Sequence, residues 1–403
     1  MNKQFAPDIK EKIETVMHRF DAPFFFYDLD QLKEHLELMS KDLDPDIKLW
    51  YACKANPMSA ILKVLRNLNF GIDIASPGEL HQAMNSGISS KNILATGPGK
   101  SKAYLEHLVK SGVQTIVLES ENQALWLNEV ALSHQKKIDC LLRVQLDWEQ
   151  GSSVLGGNEI TPFGIGLDEW KDCEISSLSQ LNIVGFHVFQ WGNILDISQL
   201  EIIWTKIINE LQILAKSLQV KLDILDLGGG LGIPYTENEK PILFSDVHKI
   251  LVKLKKKYQL NKIWMELGRY IVGECGTYFT KIIDKKNSRG KDILVCEGGI
   301  NHIARVALVN QAFPANSFKL SQQKTKPYQV HGPLCTALDN LGTFDLPQDI
   351  EIGDWIQFHQ TGAYGFTESM PFFLCHGLAG EVVYFGGDLM IPRPPKNSFD
   401  WMI

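Results

Sequence analysis

The sequence predicts an α/β fold in which a (β/α)8 barrel is followed by a second, mostly β domain. Two observations carry this expectation. Eight short apolar runs lie between residues 48 and 268, most of them separated by helix-like segments, and after about residue 272 the pattern changes to β-type segments joined by tight turns. Near-continuous aliphatic runs are what strands covered on both faces require, and eight of them alternating with helices is the barrel pattern.

The runs are LWYACK, GIDIAS, NILATG, TIVLES, DCLLRV, IVGFHV, ILDLGG and IWMELG. The first five units start at residues 48, 71, 92, 115 and 139, steps of 23, 21, 23 and 24 residues, close to one minimal strand-helix unit each. Later steps of 44, 41 and 39 residues leave room for insertions such as the glycine-rich segment 151–166, placed by this reading after the fifth strand on the active face. Beyond residue 272, YFTKIIDKK, DILVCEGG, PYQVHGPL, DWIQFHQTGAY and EVVYFGG read as strands. The expected domains are a barrel over 24–272 and a mostly β domain formed by 1–23 and 273–403. PFFFYD at 23–28 is itself strand-like, which leaves open that the β domain takes in this segment as well.

A chain of 403 residues with 44% hydrophobic and 22% charged residues has the composition of a globular protein with a large core. Its net charge of −7 provides no basic field for a polyanion, so nucleic acid is not an expected partner. Seven scattered cysteines without CxxC spacing point away from a disulfide framework and a zinc cluster, and no bound metal is expected. The polar N-terminal segment and the lack of an apolar run near ~18 residues argue against secretion and membrane insertion, so the expected location is the cytoplasm.

Chemistry in a parallel barrel gathers at the C-terminal strand ends. Those ends carry Lys54, Asp73 with Ser76, Thr96, Glu119, Arg143, His187, Gly228 to Gly230, and Glu266 with Arg269. Lys54 in YACKANP closes an apolar strand, and a desolvated lysine amine forms a Schiff base with a carbonyl; the plain alternative is a lysine that snorkels at a strand end. Gly228, Gly229 and Gly230 let backbone amides approach a phosphate, and Arg269, preceded by Gly268, adds a charged donor at the next strand end. Glu266 is placed to face inward, where a carboxylate favours a protonated pyridine; its alternative is a structural salt bridge to an arginine such as Arg143. His187 reads equally well as a hydrogen-bonded core histidine.

Together these motifs resemble the fold-type III pyridoxal-phosphate (PLP) enzymes, the alanine racemase-like barrels, and within them the ornithine/diaminopimelate decarboxylase family. The resemblance runs from about Pro23 to His376 through YACKAN, DIASPGEL, TGPGK, LDLGGGLGIPY, ELGRYIV, GPLCTALD and GAYGF. It implies an alanine racemase-type PLP barrel with a C-terminal β-barrel or β-sandwich domain, acting as an amino-acid decarboxylase. Lys54 is then the Schiff-base lysine, Glu266 the partner of the pyridine nitrogen, and Gly228, Gly229, Gly230, Gly268, Arg269 and Tyr364 the phosphate contacts. Asp73, Ser76, Arg143 and His187 belong to the expected cofactor site, with His187 also counted among the catalytic groups. Cys335 is the expected acid near the substrate α-carbon, donated by the partner in a homodimer with shared active sites. Thr336, Asp339, Phe189 and Asn193 are the expected substrate contacts.

The chain departs from the family pattern in GFHVFQWGN, where Phe189 replaces a histidine over the ring and Gly192 a phosphate-binding serine, and in Leu267, which replaces a proline. Thr336 stands where diamine-forming members place an acidic residue for the distal ammonium. The CTALD form, the glycine-rich loop and the HVF variant resemble a branch acting on citryl-amino-acid siderophore intermediates or on glutamyl thioesters of a carrier protein. That branch implies an acylated or citryl-linked amino acid as substrate. The competing readings are decarboxylation of diaminopimelate, ornithine or lysine, a racemase, and a non-catalytic PLP-binding regulatory homologue. Racemases of this fold usually face the ring nitrogen with an arginine and use a tyrosine as second base, unlike Glu266 and Cys335 here.

Overall fold

The computed structural model describes residues 5–148 and 159–402, so the first half of the expected insertion after the fifth barrel strand, 151–158, lies outside the described residues. The chain forms two compact units, one of residues 35–233 and 240–270, the other of 1–34, 234–239 and 271–403. The strands in chain order are β1 (Phe24–Asp28), β2 (Ile47–Ala52), β3 (Gly71–Ile74), β4 (Ile93–Ala95), β5 (Thr115–Leu118), β6 (Ile138–Arg143), β7 (Leu181–His187), β8 (Ile224–Asp226), β9 (Lys262–Leu267), β10 (Gly276–Ser288), β11 (Lys291–Cys296), β12 (Ala315–Ser317), β13 (Thr325–His331), β14 (Asn340–Pro347), β15 (Trp355–Phe358), β16 (Gly380–Phe385) and β17 (Asp388–Arg393).

In the first unit β2 to β9 close into a parallel barrel, and all eight expected runs supply its strands. Closure is made by β2 against β9, with Trp50 opposite Glu266 in the register. Trp50, Leu94, Val117, Leu141, Ile224 and Trp264 fill the barrel, the two indoles meeting edge to face at 4.9 Å. Two glycines make this packing possible. A Cβ on Gly71 would lie 2.2 Å from the Trp50 ring, and one on Gly185 only 1.8 Å from the Ile224 carbonyl oxygen. Helix starts follow several strand ends because capping residues stand there: Ser76, Ser101, Ser120 and Asp196 each accept backbone N–H groups of the next first turn.

The second unit is built on a nine-stranded mixed sheet with the path β14-β13-β11-β10-β1-β16-β17, and β15 pairs with both β10 and β12. β1 belongs here, antiparallel to β10 and parallel to β16. Its run FFFYD is buried throughout because both faces are covered: Phe24 stacks on Phe279 at 5.0 Å on one side, and Phe25 meets Tyr278 and Phe366 on the other. Ile13, Val16 and Met17 of the helix Pro7–Phe20 complete that core. Among the described residues no helix is long and apolar enough to cross a membrane.

Candidate active site

Lys54 sits in the short 3-10 turn Cys53–Ala55 directly after β2, its two neighbours buried while it is exposed. β2 ends two residues earlier, at Ala52, and the Lys54 charge acts on the buried Asp73 and Glu266 carboxyls. Its Nζ lies 5.5 Å from the centroid of the Phe189 ring. Beside it, Asp73 on β3 is 3% exposed and accepts the Thr96 hydroxyl proton at 2.6 Å. Burial, and then the charge of Glu266, push the Asp73 carboxyl up to about 8. Ser76 caps the following helix, accepting the Glu79 amide at 3.2 Å, while the Glu79 carboxylate returns to the Ala75 amide at 2.6 Å.

Three adjacent strands then deliver three buried groups to one point. His187 ends β7, Asp226 ends β8 and Glu266 lies in β9, one ring nitrogen or carboxylate oxygen of each lying within 4.8 Å of the others. The His187 Nε2 is 3.2 Å from a Glu266 oxygen. Among the described residues, Asp226 Oδ2, Glu266 Oε1 and both His187 nitrogens have no hydrogen-bond partner of proper geometry. Burial holds His187 neutral, its pKa well below the usual value, and pushes Asp226 well above the carboxylate range with Glu266 adding to the effect. Glu266 is raised to about 7, again by burial, against the pull of Lys54 and Arg143.

The glycine turn closes over these acids. Gly228 and Gly230 have φ of +63° and +99°, where side chains other than glycine's are strained. A Cβ on Gly228 would lie 2.5 Å from Phe189 Cβ, and one on Gly229 2.2 Å from the Glu266 carbonyl oxygen. The turn is pinned by the Gly228 amide donating to Asp226 Oδ1 at 2.9 Å and by the Glu266 amide donating to the Gly228 carbonyl at 2.7 Å. Gly268 and Arg269 follow β9 and are half-buried. Asn193 adopts φ of +55°, and its side-chain oxygen accepts the Ile233 amide at 3.4 Å.

Arg143 does not pair with Glu266. Its guanidinium meets Glu119 at 3.0 Å, reaches the Phe189 carbonyl at 3.3 Å and lies 4.6 Å from the Phe163 ring centroid. The second Glu119 oxygen accepts the Gly164 amide at 2.8 Å, fixing the end of the expected insertion segment to the barrel. Lys100, from TGPGK, is 1% exposed, donates to the Gly97 carbonyl and stands 3.9 Å from Glu119. Burial opposes the charge on Glu119, but Arg143 and Lys100 outweigh it and hold the carboxyl below its ordinary range. Burial pushes Lys100 down to about 8.

In the second unit Cys335 is exposed at the tip of the turn between β13 and β14. Thr336 is half-buried, and its hydroxyl accepts the Leu338 amide at 3.2 Å. Asp339 is 1% exposed, its two oxygens accepting the Ile300 amide at 2.8 Å and the Leu334 amide at 2.7 Å. The structure thus places Asp339 under the Cys335 turn, holding it against Gly299 and Gly332, where any Cβ would come within 2.2 and 2.5 Å of it. Tyr364 has φ of +59° and lies 5.0 Å from the Arg305 guanidinium, which pairs with Glu368 at 2.8 Å.

Asp226, Lys100 and Arg305 were not singled out by sequence reasoning. Asp226 had a signal, since ILD at a strand end puts the aspartate on the same alternating face as Ile224. Lys100 and Arg305 follow no strand directly, so nothing local marks them.

Residues 29–273 match the family described as pyridoxal-dependent decarboxylase, pyridoxal binding domain. The chain is 30% identical to the diaminopimelate decarboxylase of Aquifex aeolicus, over 98% of this chain and 93% of that one. It is 26% identical to the L-glutamyl-(BtrI acyl-carrier protein) decarboxylase of Niallia circulans, over 96% and 95% of the two chains. It is 28% identical to the 2-((L-alanin-3-ylcarbamoyl)methyl)-2-hydroxybutanedioate decarboxylase of Staphylococcus aureus, over 87% and 91%.

Proposed function

The chain belongs to the pyridoxal-dependent decarboxylases, and from that premise we propose that its substrate is an acylated or citryl-linked amino acid of siderophore or other secondary-metabolite biosynthesis. It is a PLP-dependent amino-acid decarboxylase. The barrel mouth fits the cofactor on three counts: an accessible lysine amine in Lys54, a glycine turn with no room for a Cβ, and a buried pair of carboxyls with unpartnered oxygens. Bound there, PLP supplies a sink for the electron pair left on the α-carbon when CO2 departs.

In this reading Lys54 attaches the cofactor through Nζ. Gly228 to Gly230, Gly268 and Arg269 bind the phosphate, and Glu266 keeps the ring-nitrogen proton in place. Phe189 lies against the glycine turn and offers an aromatic face to the ring, with neutral His187 behind Glu266. Arg143, held by Glu119, and Asp73, raised to about 8 and held by Thr96, line the same mouth. Cys335, from the partner subunit of a homodimer, returns the proton to the α-carbon. All seven cysteines are unpaired, in keeping with a cytoplasmic enzyme.

The observation that carries the substrate class is the carboxylate inventory of GPLCTALD. Thr336 stands where a distal ammonium would need an acid, and Asp339, the one carboxylate in the motif, has both oxygens committed to backbone amides. A site without that anion leaves an ammonium unpaired, which costs several kcal/mol, on the order of a thousandfold in discrimination. Two of the relatives named above act on conjugates rather than free diamino acids, by the words of their names. CO2 release should be measured on glutamyl-carrier-protein thioester, a citryl-linked diamino acid, diaminopimelate, ornithine and lysine. Turnover confined to the conjugates is expected, and efficient turnover of free diaminopimelate overturns the reading. That second outcome is the rival favoured by the 30% identity with the Aquifex aeolicus enzyme.

A further inference from the structure

Asp226 is fully buried at the end of β8, between His187 on β7 and Glu266 on β9, and the charge of Asp73 on β3 also acts on it. One of its oxygens has a task, accepting the Gly228 amide at 2.9 Å. The other is buried without a partner, as is Oε1 of Glu266. Two carboxylates buried side by side are strongly disfavoured from both being ionised, since each charge would face the other through a medium of low polarity. A single shared proton removes the conflict and gives the orphaned oxygens something to share.

We propose that Asp226 is a positioning residue, a carboxylic acid whose Oδ1 accepts the Gly228 amide proton and whose Oδ2 donates its own proton to Glu266, locking the ring-facing carboxylate to the phosphate-binding turn. This rests on the reading of Glu266 as the partner of the ring nitrogen. The surroundings favour the proton on Asp226, since Glu266 and Asp73 oppose its charge and its Oδ1 is already occupied by the Gly228 amide, whereas Lys54 and Arg143 favour the charged form of Glu266. Neutral His187 at 3.2 Å from Glu266 adds no competing charge. The glycine turn is tied to β9 a second time through the Glu266 amide and the Gly228 carbonyl. Ring carboxylate and phosphate turn therefore move as one piece, and one side chain sets the distance between the two ends of the cofactor site.

The experiment compares wild type, Asp226→Asn, Asp226→Ala and Glu266→Gln. An asparagine presents the same pair of functions as the acid, its carbonyl accepting from Gly228 and its amide donating to Glu266. Asp226→Asn is expected to bind PLP within about threefold of wild type, and Asp226→Ala about tenfold or more weaker, from the loss of a hydrogen bond to a charged group. Infrared difference spectra of the cofactor-free proteins at neutral pH provide a second readout. The wild-type minus Asp226→Asn spectrum should contain the carbonyl stretch of one protonated carboxylic acid. An Asn variant as weak as the Ala variant, or a difference spectrum without that band, overturns the proposal. Glu266→Gln separates the two readings: unimpaired decarboxylation refutes the ring-partner role of Glu266, whereas the infrared band reports only on Asp226.

Discussion

Arg143 and Glu119 form an ion pair at 3.0 Å inside the barrel mouth, with the second Glu119 oxygen accepting the Gly164 amide at 2.8 Å. The pair therefore joins β5 and β6 to the segment that follows the undescribed residues 149–158. Trp170, fully buried, donates its indole N–H to the Arg143 carbonyl at 2.8 Å and closes the same corner. Glu119→Gln leaves the Arg143 charge buried and uncompensated, and removing one partner of such a pair costs about 3–5 kcal/mol. Urea unfolding of the variant should show a loss of that order. A change under about 0.5 kcal/mol, the range of ordinary surface substitutions, would mean that the pair does not hold this corner.

Gly228→Ala tests the turn. The added Cβ meets Phe189 Cβ at 2.5 Å in a backbone with φ of +63°, so the turn must open or Phe189 must withdraw. Either response displaces groups that line the cofactor site. PLP affinity should fall about tenfold or more, with 1–3 kcal/mol of local strain the cause. Titration of the cofactor-free variant by visible absorbance measures it, and unchanged affinity would separate the turn from the phosphate.

Much of this site was legible in the sequence, for a physical reason. Lys54, Asp73, Arg143, His187 and Glu266 lie in or just after parallel strands, and a strand end in a barrel has one place to go. The β domain is legible as strands, but its sheet order is not. β1 lies beside β10 and β16, partners more than 240 residues away in sequence, and no local pattern encodes such pairings. The same limit hid the part played by Asp339. Its anchoring of the Cys335 turn depends on Ile300, on a different stretch of chain, so GPLCTALD alone exposed the cysteine and not its support. Asp226 precedes the glycines of LDLGGG, and its part depends on Glu266 of the next strand, a pairing no local pattern encodes.

Without cofactor, stability should fall as pH rises from about 6.5 to 8. Asp73 is raised to about 8 and Glu266 to about 7, so over this interval the folded chain binds more protons than the unfolded chain, whose carboxyls titrate near ordinary values. Stability from a raised pKa is complete below the unfolded value and is lost through the folded one. His187 works the other way, held neutral in the fold, but its contribution is complete above its ordinary value of 6.5. Lys100, depressed to about 8, restores stability only at higher pH. Thermal unfolding across this interval should show the decline, and Asp73→Asn should flatten it. A midpoint that rises from pH 6.5 to 8 in wild type contradicts the assignment.

Lys54 and Cys335 are expected to meet in one site contributed by two subunits. Cys335 is exposed at the tip of a turn whose base is fixed by Asp339, so it is not the buried small hydrophobe that an isolated cysteine often is. A thiol held rigidly at a surface is suited to reach into a neighbouring chain, and a closed two-fold assembly makes two equivalent shared sites. On the proposed roles Lys54→Ala removes the cofactor attachment and Cys335→Ala the proton donor, so each variant alone should be inactive or nearly so. In a mixed dimer one of the two sites receives both mutations and the other receives neither. With equal amounts and free exchange, half of the dimers are mixed, and recovery of about a quarter of wild-type activity follows from the symmetry. Differently tagged subunits, co-purified through both tags, establish that exchange has occurred. Exchange without recovered activity would place the thiol and the lysine of each site on the same chain, and an active Cys335→Ala homodimer would remove Cys335 from the reaction.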